Sequence, residues 1–196
     1  VKNGYEALAG QINVEFKKPP TADIFSANVF ASGAGRYEGN ADASWHINDK
    51  LSSGLLVHYS NDKMQHDGND DGFLDTPLRE QVNVMNRWYH KLDKYVAQYG
   101  VHYLHESRTG AQKHHDFTDP YRIHLNTNRA ELFTKQAYII DKEKVESVAL
   151  ILSGSYHEQK SRYDRTPYNV YQNNVYASLL YEKEFTPMHS LSTGLS

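Results

Sequence analysis

The chain has 196 residues, a formal net charge of −3 and a mean hydropathy of −0.73. Its size suits one domain or a piece of one, its charge argues against a nucleic-acid partner, and no apolar run approaches the roughly 18 residues of a transmembrane helix. Cysteine is absent, which removes disulfides, thiolate metal sites and cysteine nucleophiles. Low hydropathy does not exclude a membrane surface, because strands that alternate apolar and polar residues hide one from window averages. The 15 tyrosines, 7 phenylalanines and 2 tryptophans suit strands and interfaces. No signal-peptide pattern opens the chain and its first residue is Val1, so it reads as processed or as an excerpt.

Residues 4–19 contain Gly4, Ala7, Gly10, Ile12, Asn13 and Val14 in the order G-x-x-A-x-x-G-x-I-N-V. The glycines permit a tight bend, and Ile12, Val14 and Phe16 form the apolar side of a short strand. This segment resembles the end of the plug domain of TonB-dependent outer-membrane receptors. The resemblance implies that residues 1–18 close a plug and that residues 19–196 begin its barrel, the first strand starting near Asp23. It implies a fragment of a 22-stranded barrel around a plugged lumen.

Beyond the bend, period-2 alternation dominates. Tyr37, Gly39, Ala41, Ala43, Trp45 and Ile47 share one face, opposite Arg36, Glu38, Asn40, Asp42, Ser44 and His46. The pattern continues through Leu55, Val57 and Tyr59, then Tyr95 to Tyr103, then Val148 to Tyr156, then Val175 to Tyr181. About nine strand-like segments result, predicting an all-β, antiparallel up-and-down meander forming part of a transmembrane barrel. Short connections are expected at 48–49, 92–94, 141–143 and 186–187, with longer ones at 61–78, 107–120 and 159–167. That alternation would sort tight turns to one end and long loops to the other, as outer-membrane barrels do. A soluble barrel or β-sandwich is the competing architecture. Tyr89, Tyr95 and Phe185 near short turns, and Tyr59, Tyr103 and Tyr156 near long loops, suggest two aromatic girdles.

Residues 66–77 hold Asp67, Asn69, Asp71 and Gly72 at the spacing that opens an EF-hand calcium loop. Calcium takes six to eight oxygen ligands, and alternate positions let side-chain oxygens converge. The expected ligands are Asp67, Asn69, Asp71, the Phe73 carbonyl and Asp75, with Glu80 as the nearest addition. Leu78 stands where an EF-hand has its bidentate Glu. The competing reading is a solvated loop of Asx-turns.

Of the 11 histidines, His114 and His115 with Asp116 are candidates for a metal or metal-chelate cargo, and exposed loop polarity is the more ordinary reading. His46, His58 and His102 are expected on the polar face, as are Arg129, Glu131 and Lys135. His102 and His105 fall on opposite faces. Gly33-Ala34-Gly35 lacks the third glycine of a dinucleotide loop, and no H-E-x-x-H or G-x-S-x-G occurs. No enzyme activity is expected.

The resemblance to TonB-dependent receptors implies import of a scarce nutrient (a metal chelate, a cobalamin-like cofactor or a glycan) across the outer membrane of a Gram-negative bacterium. Its partners would be the TonB energy-coupling complex, reached through the plug, the nutrient at the extracellular loops, and membrane lipid. Two other classes stay open: a soluble calcium-binding β-module for carbohydrate or protein, and a small barrel that only anchors in the membrane.

Overall fold

The computed structural model describes residues 17–113 and 118–196. The plug-like motif and the His114–Asp116 cluster therefore lie outside the described residues, except for Lys17 and Lys18. A 3-10 turn, Pro19–Thr21, leads into nine strands. These are β1 (Phe25–Ala31), β2 (Arg36–Asn48), β3 (Leu51–Asp62), β4 (Leu78–Lys91), β5 (Tyr95–Ala111), β6 (Arg122–Asp141), β7 (Glu146–Tyr163), β8 (Thr166–Thr186) and β9 (His189–Leu195). They form one antiparallel sheet in chain order, and it is not closed: β1 and β9 are its two edges. The meander and the number of strands agree with the alternation in the sequence. A sandwich needs a second sheet, and the described residues form one.

The register fixes the faces. Ala41 opposes Ala27 and Val57, Val57 opposes Val84, and Val84 opposes Tyr103. Tyr103 opposes Ala130, Ala130 opposes Tyr156, and Leu152 opposes Ala177. Because side chains alternate along each strand, this places the apolar sets on one continuous face and the polar sets on the other.

Among the described residues Ala97 is the one buried hydrophobic side chain. Meanwhile Leu132 is 63% exposed and Val175 88%. The sheet therefore has no hydrophobic core of its own. Its internal cohesion comes from the backbone ladder and from cross-strand side-chain pairs.

Short polar residues make the turns. Asn48 Oδ1 accepts the N–H groups of Lys50 (2.9 Å) and Leu51 (3.0 Å). Asp141 Oδ1 accepts that of Glu143 (2.9 Å) in the next but one turn at the same end. Both are Asx-turns. At the opposite end the connections differ from expectation. Residues 63–77 and 112–121 are long, but 159–167 is not a loop. Lys160 pairs with Asn169 and Tyr163 with Thr166, so only Asp164 and Arg165 turn the chain, Asp164 at φ 55°. Residues 32–35 are a tight link at that end too. The sorting of long loops to one end is thus partial. Segment 159–167 looks like a loop in sequence because both faces of the strands are polar there, while the ladder continues regardless.

One close approach is specific. A Cβ at Gly100 would collide with the ring of Phe133, its cross-strand partner on the polar face. The aromatic ring covers the glycine and shields its backbone. Gly100→Ala is expected to destabilise the protein by about 1–3 kcal/mol. Adding Phe133→Leu should recover much of the loss. Unfolding in detergent micelles of the two single variants and the double variant checks the coupling; additive effects would remove the contact as the cause.

Candidate functional site

The two faces have opposite chemistry. On the apolar face, Trp45, Trp88 and Tyr99 lie toward the short turns, with Tyr95, Tyr138, Tyr181 and Phe185 nearer still to them. Tyr37, Tyr59, Tyr103 and Tyr156 lie toward the other end. Tyr95 and Tyr103 are eight residues apart on β5. That is about 26 Å along the strand and about 20 Å after a tilt near 40°. Between them lie Leu55, Val57, Val84, Val101, Leu132, Leu150, Leu152 and Leu179. One expectation is corrected: Tyr89 opposes Ser52 and Gln98 on the polar face, and Trp88 takes its place among the aromatics. In an alternating strand a shift of one residue reverses the face.

Polar side chains inside this belt are bonded within the sheet. Asn86 Nδ2 donates to Gly54 O at 3.2 Å. Tyr95 Oη donates to Gln136 Oε1 at 2.9 Å, and Gln136 Nε2 donates to Thr134 Oγ1 at 3.2 Å. A polar group facing an apolar medium is costly unless so paired.

The other face carries a hydrogen-bonded polar lattice. Asn40 Nδ2 donates to Asn28 Oδ1 (3.0 Å), and Asn40 Oδ1 lies 2.6 Å from His58 Nδ1. His102 bridges Asn83 Oδ1 (2.7 Å, through Nε2) and Glu131 Oε2 (2.6 Å, through Nδ1). Arg129 donates from Nε and Nη2 to Glu131 Oε1 at 2.8 and 2.5 Å. Register places His46, Arg129, Glu131 and Lys135 on this face and His105 on the other, as alternation predicts. Alternation places Asn40 on this face, but Asn28 and Asn83 escaped the sequence reading, because their partners sit on neighbouring strands. Ser60 Oγ, Asp62 Oδ1 and His157 Nδ1, also on this face, are buried without a hydrogen-bond partner among the described residues.

The segment before β1 lies on the same polar face. Pro19 is buried and would touch a side chain placed at Gly54. Arg87 Nη1 donates to Lys17 O at 3.2 Å, with Arg87 itself 7% exposed. The chain therefore comes off the polar side of the sheet before entering its edge strand.

The acidic loop is stitched to the end of β5. Leu74 N donates to Ala111 O (2.8 Å) and Lys113 N to Gly72 O (2.8 Å). Asp67 is enclosed, its side chain 1% exposed, and Lys113 Nζ lies 3.1 Å from its Oδ2. Asp67 also accepts the N–H groups of Gly72 (3.0 Å) and Asp71 (3.2 Å). Asp71 Oδ1 accepts Phe73 N–H (2.8 Å) and Asp75 Oδ2 accepts Gly68 N–H (2.8 Å). Asn69 Nδ2 donates to Asp71 Oδ2 at 3.0 Å. Asp70 at φ 59° and Gly72 at φ 82° produce the sharp reversal. Glu80 is held by Tyr59 Oη and Lys63 Nζ instead of joining the loop.

Among the described residues no group of three or more His, Asp or Glu side chains is placed to hold a metal ion. The Asx-turn arrangement is present, and the Lys113 ammonium supplies a counter-charge from a residue distant in sequence. At the short-turn end, Lys142 Nζ lies 2.5 Å from Asp93 Oδ1 and holds that carboxyl below the usual range.

Enclosure by itself would raise the Asp67 pKa. The Lys113 pair and the two N–H donors outweigh it and hold the carboxyl below its ordinary value of 3.8. A depressed folded-state pKa gives stability that is complete above the unfolded value and lost as pH falls through the folded one. The protection of amides 67–75 from hydrogen exchange, taken relative to the intrinsic rate at each pH, should therefore hold steady above about pH 4 and fall below it. In Lys113→Met the fall in protection should begin at higher pH. Any calcium taken up by the loop competes with this ammonium, so calorimetric titration should show tighter binding to Lys113→Met than to the wild type. Equal affinities would mean that Lys113 does not guard the loop.

The chain matches no protein-family model, no curated protein and no solved structure.

Proposed function

We propose that this chain is part of the wall of an outer-membrane β-barrel, and that the barrel belongs to a TonB-dependent transporter importing a scarce nutrient. The observation that carries the membrane reading is a single sheet with no core, one face of which is an apolar belt bounded by aromatic side chains. Water would penalise that face; hydrocarbon would not. In this reading the short turns are periplasmic and the longer loops extracellular. Strands β5 to β8, of 17 to 21 residues, exceed the roughly 9–11 needed to span a bilayer. Their excess projects above the belt, where both faces become polar.

The transporter part rests on two supports. One is the plug-like motif around Gly4–Val14. The other is the position of Lys17–Thr21 on the polar face, where a chain emerging from a plug inside a barrel would reach the wall. The lattice of Asn40, His58, His102 and Glu131 would then face that plug and the water around it. Nine strands would be completed by others toward the 22-stranded type, and the edges β1 and β9 would find neighbours there. The barrel does no chemistry on its cargo. A metal chelate, a cobalamin-like cofactor or a glycan would enter between the extracellular loops, and energy would come from the TonB complex through the plug.

These 196 residues hold no cysteine, so a single introduced thiol tests the membrane reading directly once any cysteine elsewhere in the full-length protein is replaced by serine. Val175 and Asn174 are neighbours on opposite faces of β8. In the full-length protein in native membranes, Asn174→Cys should react with a charged, water-soluble maleimide. Val175→Cys should react only with a lipid-soluble one. Equal labelling by the charged reagent would rule out a lipid-facing belt. Nutrient uptake by cells carrying the full-length protein should also stop when a protonophore collapses the energising gradient. Uptake that persists would identify a passive pore.

A further inference from the structure

Above the aromatic belt, the outward face carries a recess at the long-loop end. Arg122, His124, Asn126, Lys160, Arg162 and Asn169 line it, all on the same sheet face as Leu152 and Leu179. Alternation explains their common direction: Lys160 and Arg162 lie four and six residues beyond Tyr156 on β7, and Arg122 and His124 share the parity of Leu132 on β6. The distances along the strand are about 13 and 20 Å. This is the level of headgroups, just past the interfacial tyrosines, if the belt is embedded.

The charge there is unlike that of the chain as a whole, whose net charge is −3. Lys160 pairs with Glu158 at 3.0 Å, and Asp164 borders the recess. Neither Arg122 nor Arg162 has an acidic partner among the described residues, and Asn126 and Asn169 add amide donors beside them. A planar guanidinium with free donors is suited to bidentate binding of phosphate oxygens. The recess faces away from the polar lattice, so cargo passing through the barrel would not meet it.

We infer that this recess binds the phosphate groups of an anionic, phosphorylated lipid in the outer leaflet, with Arg122 and Arg162 as its principal contacts and Lys160 and His124 at its border. The inference rests on the membrane reading above and adds a lipid-specific site to it. Such a site would fix the height of the long β6–β8 strands against the leaflet, because an ion pair to a headgroup resists vertical movement in either direction.

The test uses the full-length protein in mild detergent, incubated with a bisphosphorylated glycolipid, separated by size and assayed for retained lipid. The wild type should retain the glycolipid, and the R122Q/R162Q double variant should retain about tenfold less. Arg108→Gln removes a charge at similar height on the polar face and should retain as much as the wild type. A dephosphorylated glycolipid should be held equally weakly by wild type and double variant. Equal retention of the phosphorylated lipid by wild type and double variant overturns the site. Displacement of the lipid by millimolar inorganic phosphate would also overturn it, by making the recess a site for free anions. Quenching of Trp45 and Trp88 by brominated lipid in nanodiscs, each as the sole tryptophan of the full-length protein, separates the two levels. Quenching that persists without selective glycolipid retention removes the lipid site alone. Absence of quenching in the wild type removes the membrane reading and the site with it.

Discussion

The constraint on which everything else depends is that one layer of sheet must satisfy two different surroundings. A single antiparallel sheet with one buried hydrophobic side chain among its described residues cannot draw its stability from a core. Each strand therefore carries two messages at once, apolar on alternate residues and polar on the rest. Register is the variable that keeps them apart. Across β1 to β9 the pairing aligns Ala with Val, Val with Tyr and Leu with Ala on one face, and the polar set follows automatically on the other. A slip of one residue in any pair would mix the faces.

The two faces solve the problem of polar groups in different ways. On the apolar face, Asn86 and Gln136 bond to a backbone carbonyl or to a neighbouring side chain, so the belt presents few unsatisfied donors. On the polar face, Asn28, Asn40, His58, Asn83, His102 and Glu131 link strand to strand through their side chains. That lattice braces a wall that has no second sheet behind it among the described residues. It also suits a surface that meets water or another polar domain, which agrees with the position of Lys17–Thr21 upon it.

Much of this was legible in advance where the pattern was strict. The residues from Arg36 to Ile47 alternate without interruption, and the strand lies where the alternation does. The error at 159–167 has a physical cause. Lys160, Ser161, Arg162, Tyr163 and Asn169 sit where both faces are polar, and polarity is the same signal that marks a loop. Ladder hydrogen bonds do not depend on side-chain polarity, so the strands continue to a two-residue turn at Asp164 and Arg165. Tyr89 was misplaced for a different reason: an aromatic beside a turn gives no phase, and only its partners Ser52 and Gln98 do. For the acidic loop, sequence supplied the Asp67, Asn69 and Asp71 oxygens and two readings of them, but Lys113 was out of view.

By itself, then, the sequence determined strand count, antiparallel order and the division into two faces, because these follow from local alternation and from turn residues such as Asn48 and Asp141. Tertiary structure decided what depends on residues far apart in the chain. It decided that Lys113 neutralises Asp67 across the β3–β4 and β5–β6 connections. It also brought Arg122 and Arg162 into one recess and set the segment before β1 on the polar face. Each of these is a contact between strands or loops whose spacing in sequence carries no periodic signal, and only the register of the sheet fixes which of them meet.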